Sequence, residues 1–435
     1  MSLARSGGQS GFPERRPGVS LRPLAFAAAL PLVAGCSSGP IETSTDATSW
    51  VGTITTEGDV TTVVNQSGSI WGGPVALAEV LSIGQESGAE PYLFGAVRAV
   101  GATEERIYVL DLQVSMVRVY DQTGAHLFDV GGRGQGPGDF NGAMSIAVDP
   151  AGRLLVQDRT RVSVFDLDGN FIETWPYIAG GVVPLVARLD GGAFVSSGFA
   201  PEGQSLAPWV AVAPDGSEER RIAGPEFDPS PWYMIASSGG RERGMVVPHG
   251  PDPMVGAMPT GAIVRGTSDT YSFEIEYPDG SNTIVEKPGD RVPVSEEERD
   301  WLVRNRTAVM RRTQPDWSWD ANPVPAFRPA FDAFFGDRFG RIWVHRSVGV
   351  EVRSDCGDPA AVDERPPPRS CWDDRWGFDV FEEESGRLLG QVALPPGYQA
   401  SGWPALLADD IVVVVEDEAG TTMIKRYRLV LPGER

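Results

Sequence analysis

Imidazole is scarce in this chain. Of 435 residues only three are histidine: His126 beside a hairpin, His249 in the loop Pro248-His249-Gly250-Pro251, and His345 at the end of a strand-like run. Places so dissimilar argue against a zinc ion held by several imidazoles around one axis. Cysteine is equally sparse, with three residues. No P-loop ending, no His-Glu-x-x-His helix and no serine elbow is present, so the familiar phosphate, zincin and acyl-transfer devices are missing. Positive charge is also in short supply. Thirty-seven Lys and Arg against 59 Asp and Glu give −22, a field that repels phosphate backbones and anionic head groups and disfavours nucleic acid as a partner. Long apolar runs are absent too: Leu24 to Ala34 falls short of the roughly 20 residues that span a bilayer, and no other stretch qualifies.

That short run belongs to a targeting segment. Arg5, Arg15, Arg16 and Arg22 precede it, and it ends in Leu32-Val33-Ala34-Gly35-Cys36, which resembles the lipobox of bacterial lipoproteins. The resemblance implies cleavage before Cys36 and acylation of its thiol and new amino group. A signal peptide cut elsewhere is the alternative; Arg15-Arg16 fits a twin-arginine signal poorly, flanked as it is by Glu14 and Pro17-Gly18. Removing the segment takes away four arginines and one glutamate, leaving about −25. The expected organisation is a signal peptide over 1–36, a flexible tether over 37–58 and one folded domain over 59–435, anchored by lipid in the periplasm or outer membrane. Membrane contact is expected through the lipid only.

Glycine (52) and proline (36) are abundant, and aromatics include 12 tryptophans. This suits many turns, with large side chains wedged between sheets. The organising unit is Val130 to Trp175. Three short apolar runs, Met144 to Val148, Leu154 to Val156 and Val162 to Phe165, are separated by Asp149-Pro150-Ala151-Gly152 and Asp166-Leu167-Asp168-Gly169, and Phe171 to Trp175 follows. Each turn offers a carboxylate for its backbone and a glycine for positive φ. Four short antiparallel strands in about 45 residues make one propeller blade. A hairpin glycine recurs at Gly124, Gly169, Gly216, Gly280, Gly386 and Gly433. The preceding strand recurs as Ile107-Tyr108-Val109, Leu154-Leu155-Val156, Ala193-Phe194-Val195, Ala262-Ile263-Val264, Ile342-Trp343-Val344 and Val412-Val413-Val414. Six units follow, in an all-β fold. A ring of blades is one domain despite its length, because no blade buries both faces of its sheet alone.

The pattern of a glycine-rich lead-in, an aromatic, Ile-Ala-Val-Asp, Leu-Leu-Val-x-Asp and Val-x-Val-Phe-Asp-x-x-Gly resembles the NHL-type six-bladed β-propeller, particularly its bacterial lipoprotein members. The likeness is sharp from Leu81 to Trp175 and fades to landmarks afterwards. It implies an extracytoplasmic propeller of a group that includes binding modules, lactonases and lyases, so it leaves activity open.

The last unit offers only three runs, Ala405 to Leu407, Ile411 to Val415 and Met423 to Val430. The strand-like Val60 to Val64 is expected to supply the fourth and close the ring. The lead-in loops read as blade crossovers and not phosphate cradles, since a strand follows them. Between the fourth and fifth units a helix is expected where Ser295 and Glu298 form a capping box and Arg311-Arg312 mark the end. The aromatics around it, Trp301, Trp317, Trp319, Phe327, Phe331, Phe334 and Phe335, either pack the insertion onto the propeller or line a pocket. With Cys36 lipidated, Cys356 and Cys371 are left as a disulfide pair closing about 15 residues, with metal or redox roles as alternatives.

Taking the second strands in register puts Asp111, Asp158, Ser197, Gly266, Arg346 and Glu416 at the channel mouth. Of these, Asp111, Asp158, Arg346 and Glu416 are the candidate site residues, and the competing reading makes each aspartate a turn cap. The favoured function is a binding module for an envelope protein, a peptide or a glycan, with no catalytic residue assigned. The alternatives are a metal-dependent lactonase or lyase using Asp111, Asp158 and Glu416, and a structural envelope scaffold. No cofactor is predicted, although convergent acids suit calcium.

Overall fold

Period-two alternation and turn glycines produce the expected ring. The computed structural model describes residues 49–159, 161–176, 184–196, 209–289, 291–363 and 368–434; Cys36, most of the tether and Ser197 lie outside them. Five blades are four-stranded antiparallel units. Blade 1 comprises Val97–Ala102, Arg106–Asp111, Met116–Asp121 and His126–Val130. Blade 2 runs through Ser145–Val148, Arg153–Gln157, Arg161–Asp166 and Phe171–Pro176, and blade 3 through Val186–Ala187, Ala193–Ser196, Trp209–Val212 and Glu218–Ile222. Blade 4 takes Pro253–Ala257, Ile263–Thr267, Ser272–Glu276 and Asn282–Glu286, and blade 5 takes Ala333–Gly336, Arg341–Val352, Trp372–Glu382 and Leu388–Ala393. Blade 6 has Ala405–Leu406, Asp410–Glu416 and Thr422–Val430 from the C-terminal stretch. All six hairpin glycines have positive φ. At Gly216 the need is steric as well, for a Cβ there would meet the Trp175 ring of the preceding blade at 2.5 Å, so blade-to-blade contact excludes a side chain.

The ring closes with an N-terminal strand, but not the expected one. Pro74–Ile83 lies antiparallel to Thr422–Val430, from Ile83 opposite Ile424 to Ala76 opposite Val430. Val60–Ser67 instead pairs in parallel with the outer strand of blade 4, Val60 opposite Asn282 and Val64 opposite Glu286. Val51–Glu57, expected within the tether, is its antiparallel hairpin partner, because both strands are rich in β-branched residues. The physical reason for the difference is a socket at the blade 4–5 junction. Val63 is fully buried there among Val285, Phe381 and Leu388, and Asn65 Oδ1 accepts from Trp50 Nε1 (2.7 Å) and Leu388 N (2.8 Å) while its amide donates to Gly386 O (3.1 Å). The chain then bonds along blade 5 through Ile70 N and Trp71 N to the carbonyls of Leu388 and Leu389 before entering blade 6. A second seam joins the inner edges of the ring, where Val100 N and Trp403 N bond to Trp403 O and Arg98 O, both at 3.1 Å.

Second strands end, and first strands begin, on one face. Every large insertion leaves from that face. The hairpin Tyr233–Ser238/Arg241–Val246 lies between blades 3 and 4, and the helix α1, Glu296–Arg311, lies between blades 4 and 5. The second and third strands of blade 5 reach 12 and 11 residues and extend past the blade as a long hairpin. Its tip carries the Cys356–Cys371 disulfide. The helix begins as expected, with Glu298 N donating to Ser295 Oγ at 3.1 Å. Its buried Met310, with Trp317 and Val324, packs on Met234, Ala236 and Val247, so most of the aromatic insertion is packing. Trp301 Nε1 donates to Gly357 O (3.1 Å) and Asn305 Nδ2 to Pro359 O (3.1 Å), which clamps the disulfide loop to the helix.

Two truncations separate the roles of the N-terminal strands. A chain starting at Ser69 should fold with a lowered Tm, having lost the buried Trp50 and Val63 and the Asn65 bonds. A chain starting at Gly84 should fail to fold cooperatively in a thermal melt. Equal melting of the two would contradict closure by Pro74–Ile83.

Candidate functional site

The four candidates read from the repeat register have separate sets of partners. Asp111 is fully buried, and its carboxylate accepts from the backbone N–H of Gly95 (3.2 Å), Ala96 (3.2 Å) and Gln113 (2.9 Å). Asp158 accepts from Asn141 N and Arg159 N, both at 2.6 Å. Each ties the crossover loop entering its blade to the turn leaving the second strand, which is the turn-cap reading. Glu416 is exposed, and its backbone N–H bonds to Gly397 O. Arg346 is buried between blades 4 and 5, with Nε 3.4 Å from Asp379 Oδ2 and its guanidinium over the Tyr271 ring. The same aspartate accepts from Tyr271 Oη (2.6 Å) and Gln391 Nε2 (2.8 Å) and lies 3.4 Å from Lys287 Nζ. Arg346 therefore serves the blade junction. The metal set named for these acids does not assemble, and among the described residues no three His, Cys, Asp or Glu side chains gather to hold a metal ion.

The ring encloses an axial cavity of about 370 Å³, walled by Val100, Ile146, Leu185, Phe334 and Trp403, with Glu104, Glu105 and Arg338 at its rim. That rim lies on the plain face, at the turns between first and second strands. Arg341 and Asp337 beneath it form a structural pair that also holds Trp343 Nε1 at 2.8 Å.

The more elaborate chemistry lies on the opposite face, where the insertions rise over blades 4 and 5. A pocket of about 180 Å³ is lined by the Val246–Gly250 loop, Asp252, Arg328, Asp332, Ser347, Asp374 and Trp376. A larger cleft of about 750 Å³ runs between the long hairpin and the 394–399 loop, and Asp374 and Trp376 line both. Trp376 is thus the partition, and its ring stacks on His345 at 4.8 Å and 15°.

Arg328 is the hub of the smaller pocket. Only 2% exposed, it donates to Glu298 Oε1 (2.7 Å) and Oε2 (3.1 Å), to Pro293 O (3.1 Å) and, through Nε, to Asp374. Glu298 is the N3 residue of the helix, yet its carboxylate turns to Arg328 and to His249 Nε2 at 3.3 Å. Burial pushes the Glu298 carboxyl up, but the hydrogen bonds from His249 and Arg328 outweigh it and hold it below its ordinary value. His249 occupies φ +58°, a conformation that a residue with a Cβ adopts at a cost and that clusters at functional sites. Ser347 Oγ donates to Asp374 Oδ1 at 3.0 Å. His345 Nδ1 donates to Asp332 Oδ1 at 2.6 Å, while its Nε2 is buried without a partner among the described residues. Tyr398, 5.5 Å from that imidazole, lines the cleft, and burial raises its phenol pKa.

All three histidines stood out in the sequence as isolated residues; His249 lines this pocket, and His345 lies behind it against Asp332 and Trp376. His126 stays apart, paired with Asp129 at 2.8 Å. Asp252, Arg328, Asp332, Asp374 and Trp376 escaped sequence reasoning, since none lies on a repeat landmark. The only available signal was the lengthening of the fourth and fifth units.

A family model described as a 6-bladed beta-propeller matches residues 88–177. No curated protein matches. Among solved structures, a putative exported protein from Bacteroides fragilis is similar at 11% identity and TM-score 0.44, covering 82% of this chain and 94% of that one. A member of the duf4221 family from Bacteroides vulgatus is similar at 10% identity and TM-score 0.49, covering 83% and 99%. Virginiamycin B lyase from Staphylococcus aureus is similar at 9% identity and TM-score 0.38, covering 77% and 95%. None of these likenesses transfers an activity to this chain.

The Glu298 bridge makes the insertion acid-sensitive. Its carboxyl is depressed in the folded state, so its contribution to stability is complete above the ordinary glutamate value of about 4.3 and is lost as pH falls through the folded value. Glu298→Gln should remove that dependence and destabilise the insertion at neutral pH by on the order of 3 kcal/mol, read from hydrogen exchange of the helix amides against pH. An unchanged acid limb in Glu298→Gln would assign the sensitivity elsewhere.

Proposed function

We propose that this chain is an extracytoplasmic, lipid-anchored binding module of the NHL-like propeller type, which captures an envelope protein, a peptide or a glycan on its elaborated face. The observation that carries the reading is the confinement of all large insertions to one face, where they wall a pocket and a cleft that meet at Trp376. Conserving a plain ring while lengthening the loops of one rim is how a rigid scaffold acquires a recognition surface. The disulfide within the long hairpin suits an oxidising compartment, and the lipobox-like Leu32 to Cys36 supplies the anchor. The metal-dependent alternative loses its support, because Asp111 and Asp158 spend their carboxylates on backbone amides.

The test is cross-linking in the native envelope followed by mass spectrometry, using the wild type, Trp376→Ala and, on the plain face, Glu105→Ala, each verified by its melting curve. Cross-links should map to the elaborated face, and the partner should be depleted by at least about tenfold in Trp376→Ala, the scale of losing one buried aromatic anchor, and be retained in Glu105→Ala. Cys36→Ala should leave the membrane fraction. Cross-links confined to the plain face would overturn the reading, and membrane retention of Cys36→Ala would overturn the anchor.

A further inference from the structure

The smaller pocket holds more negative charge than it neutralises. Asp252, Asp332 and Asp374 line it beside one guanidinium, that of Arg328, which is also paired with Glu298. Arg328 spends its charge on Glu298 and Asp374. Asp332 receives one hydrogen bond, from His345, and its side chain remains 35% exposed toward solvent. No donor among the described residues reaches the Asp252 carboxylate at the rim. Across the pocket stands the Trp376 indole. Carboxylates in a partly dry recess beside an aromatic face attract ammonium and guanidinium groups, and repel anions.

An independent observation concerns the layer behind this wall. His345 is 3% exposed, and its Nε2 has no partner among the described residues. Around it stand Asp332 and Trp376 of the pocket, Tyr398 of the cleft, and Phe335 and Phe378. His345 lines neither cavity but backs the wall, holding Asp332 through Nδ1 and stacking on Trp376.

We propose that the pocket receives the cationic end of a lysine or arginine side chain, presented by a peptide or protein segment that lies along the adjoining cleft. The proposal rests on the binding-module reading above and narrows its ligand to a basic polypeptide. Size agrees with chemistry. About 180 Å³ suits the end of one side chain, whereas about 750 Å³ accommodates several residues of extended backbone. Asp374 and Trp376 line both. The net charge of −22 raises the local concentration of cations before contact is made.

The experiment titrates the full folded chain with end-blocked Gly-Gly-Lys-Gly-Gly and Gly-Gly-Arg-Gly-Gly, followed by tryptophan fluorescence and calorimetry. The ε-acetylated lysine peptide and Gly-Gly-Glu-Gly-Gly serve as comparators. The basic peptides should bind, and acetylation should weaken binding at least about tenfold, the scale of one charge-assisted contact. Asp252→Asn and Asp332→Asn should each weaken the lysine peptide and flatten its salt dependence, and Glu105→Gln should not. The Asp252 carboxylate has no hydrogen bond among the described residues to lose, and its backbone bonds to Ser268 survive the substitution, so its variant tests the idea even if Asp332→Asn folds poorly. Equal affinity for acetylated and free lysine, or no binding of either basic peptide, overturns the inference. Should Trp376-dependent capture persist in the envelope alongside such a result, the ligand class is wrong and the module reading stands. If capture fails as well, both fall.

Discussion

The hydrogen-bonded pairing of Pro74–Ile83 with Thr422–Val430 is the constraint from which the remaining architecture follows. Each blade hides one face of its sheet against the next, so a ring of blades is stable only when the last meets the first. Blade 6 contributes three strands from the C-terminal stretch and would otherwise present an open edge beside the start of the ring. The strand from the other end of the chain fills that edge, and the inner bond between Val100 and Trp403 repeats the join at the axis. Opening either join exposes strand edges and the apolar surfaces of blades 1 and 6 together.

The N-terminal strands do more than close the circle. They form a strap across three blades: the hairpin widens blade 4, Asn65 and Ile70 fasten it to blade 5, and Pro74–Ile83 completes blade 6. Beneath the strap, the buried Asp379 gathers Tyr271, Gln391, Lys287 and Arg346 at the blade 4–5 junction. The elaborated pocket stands beside this junction, its Ser347 next in sequence to Arg346. A pocket built from loops gains definition when its supports cannot splay. Arg328 performs the same service one layer higher, fixing the helix to the long hairpin through Glu298 and Asp374.

Much of the ring was legible in the sequence because its signals are local. The short apolar runs Leu154 to Val156 and Val162 to Phe165, and a positive-φ glycine at Gly169, specify two strands and a turn without reference to distant residues. The helix over 296–311 was legible for the same reason, through Ser295 and its acidic first turn. Val60 to Val64 was recognised as a strand but assigned to the wrong neighbour. Alternation specifies which side chains face inward and says nothing about which sheet edge receives the backbone; the socket for Val63 and Asn65 is made by residues more than 200 positions away. Pro74–Ile83, with its alanines, leucines and a glutamate, carries a weaker strand signature than the segment it was passed over for. The site was less legible still. Asp111 and Asp158 stand in register with a functional mouth yet serve the turns, and the pocket arises where three insertions converge, an arrangement with no period to detect.

Native-state hydrogen exchange tests the closure most directly. The account predicts that amides of residues 76–83 exchange only through global unfolding, with the same free energy as those of 411–415, while amides of 51–57 open at lower cost. Exchange of 76–83 well before 411–415, with 60–64 protected to the global limit, would contradict it.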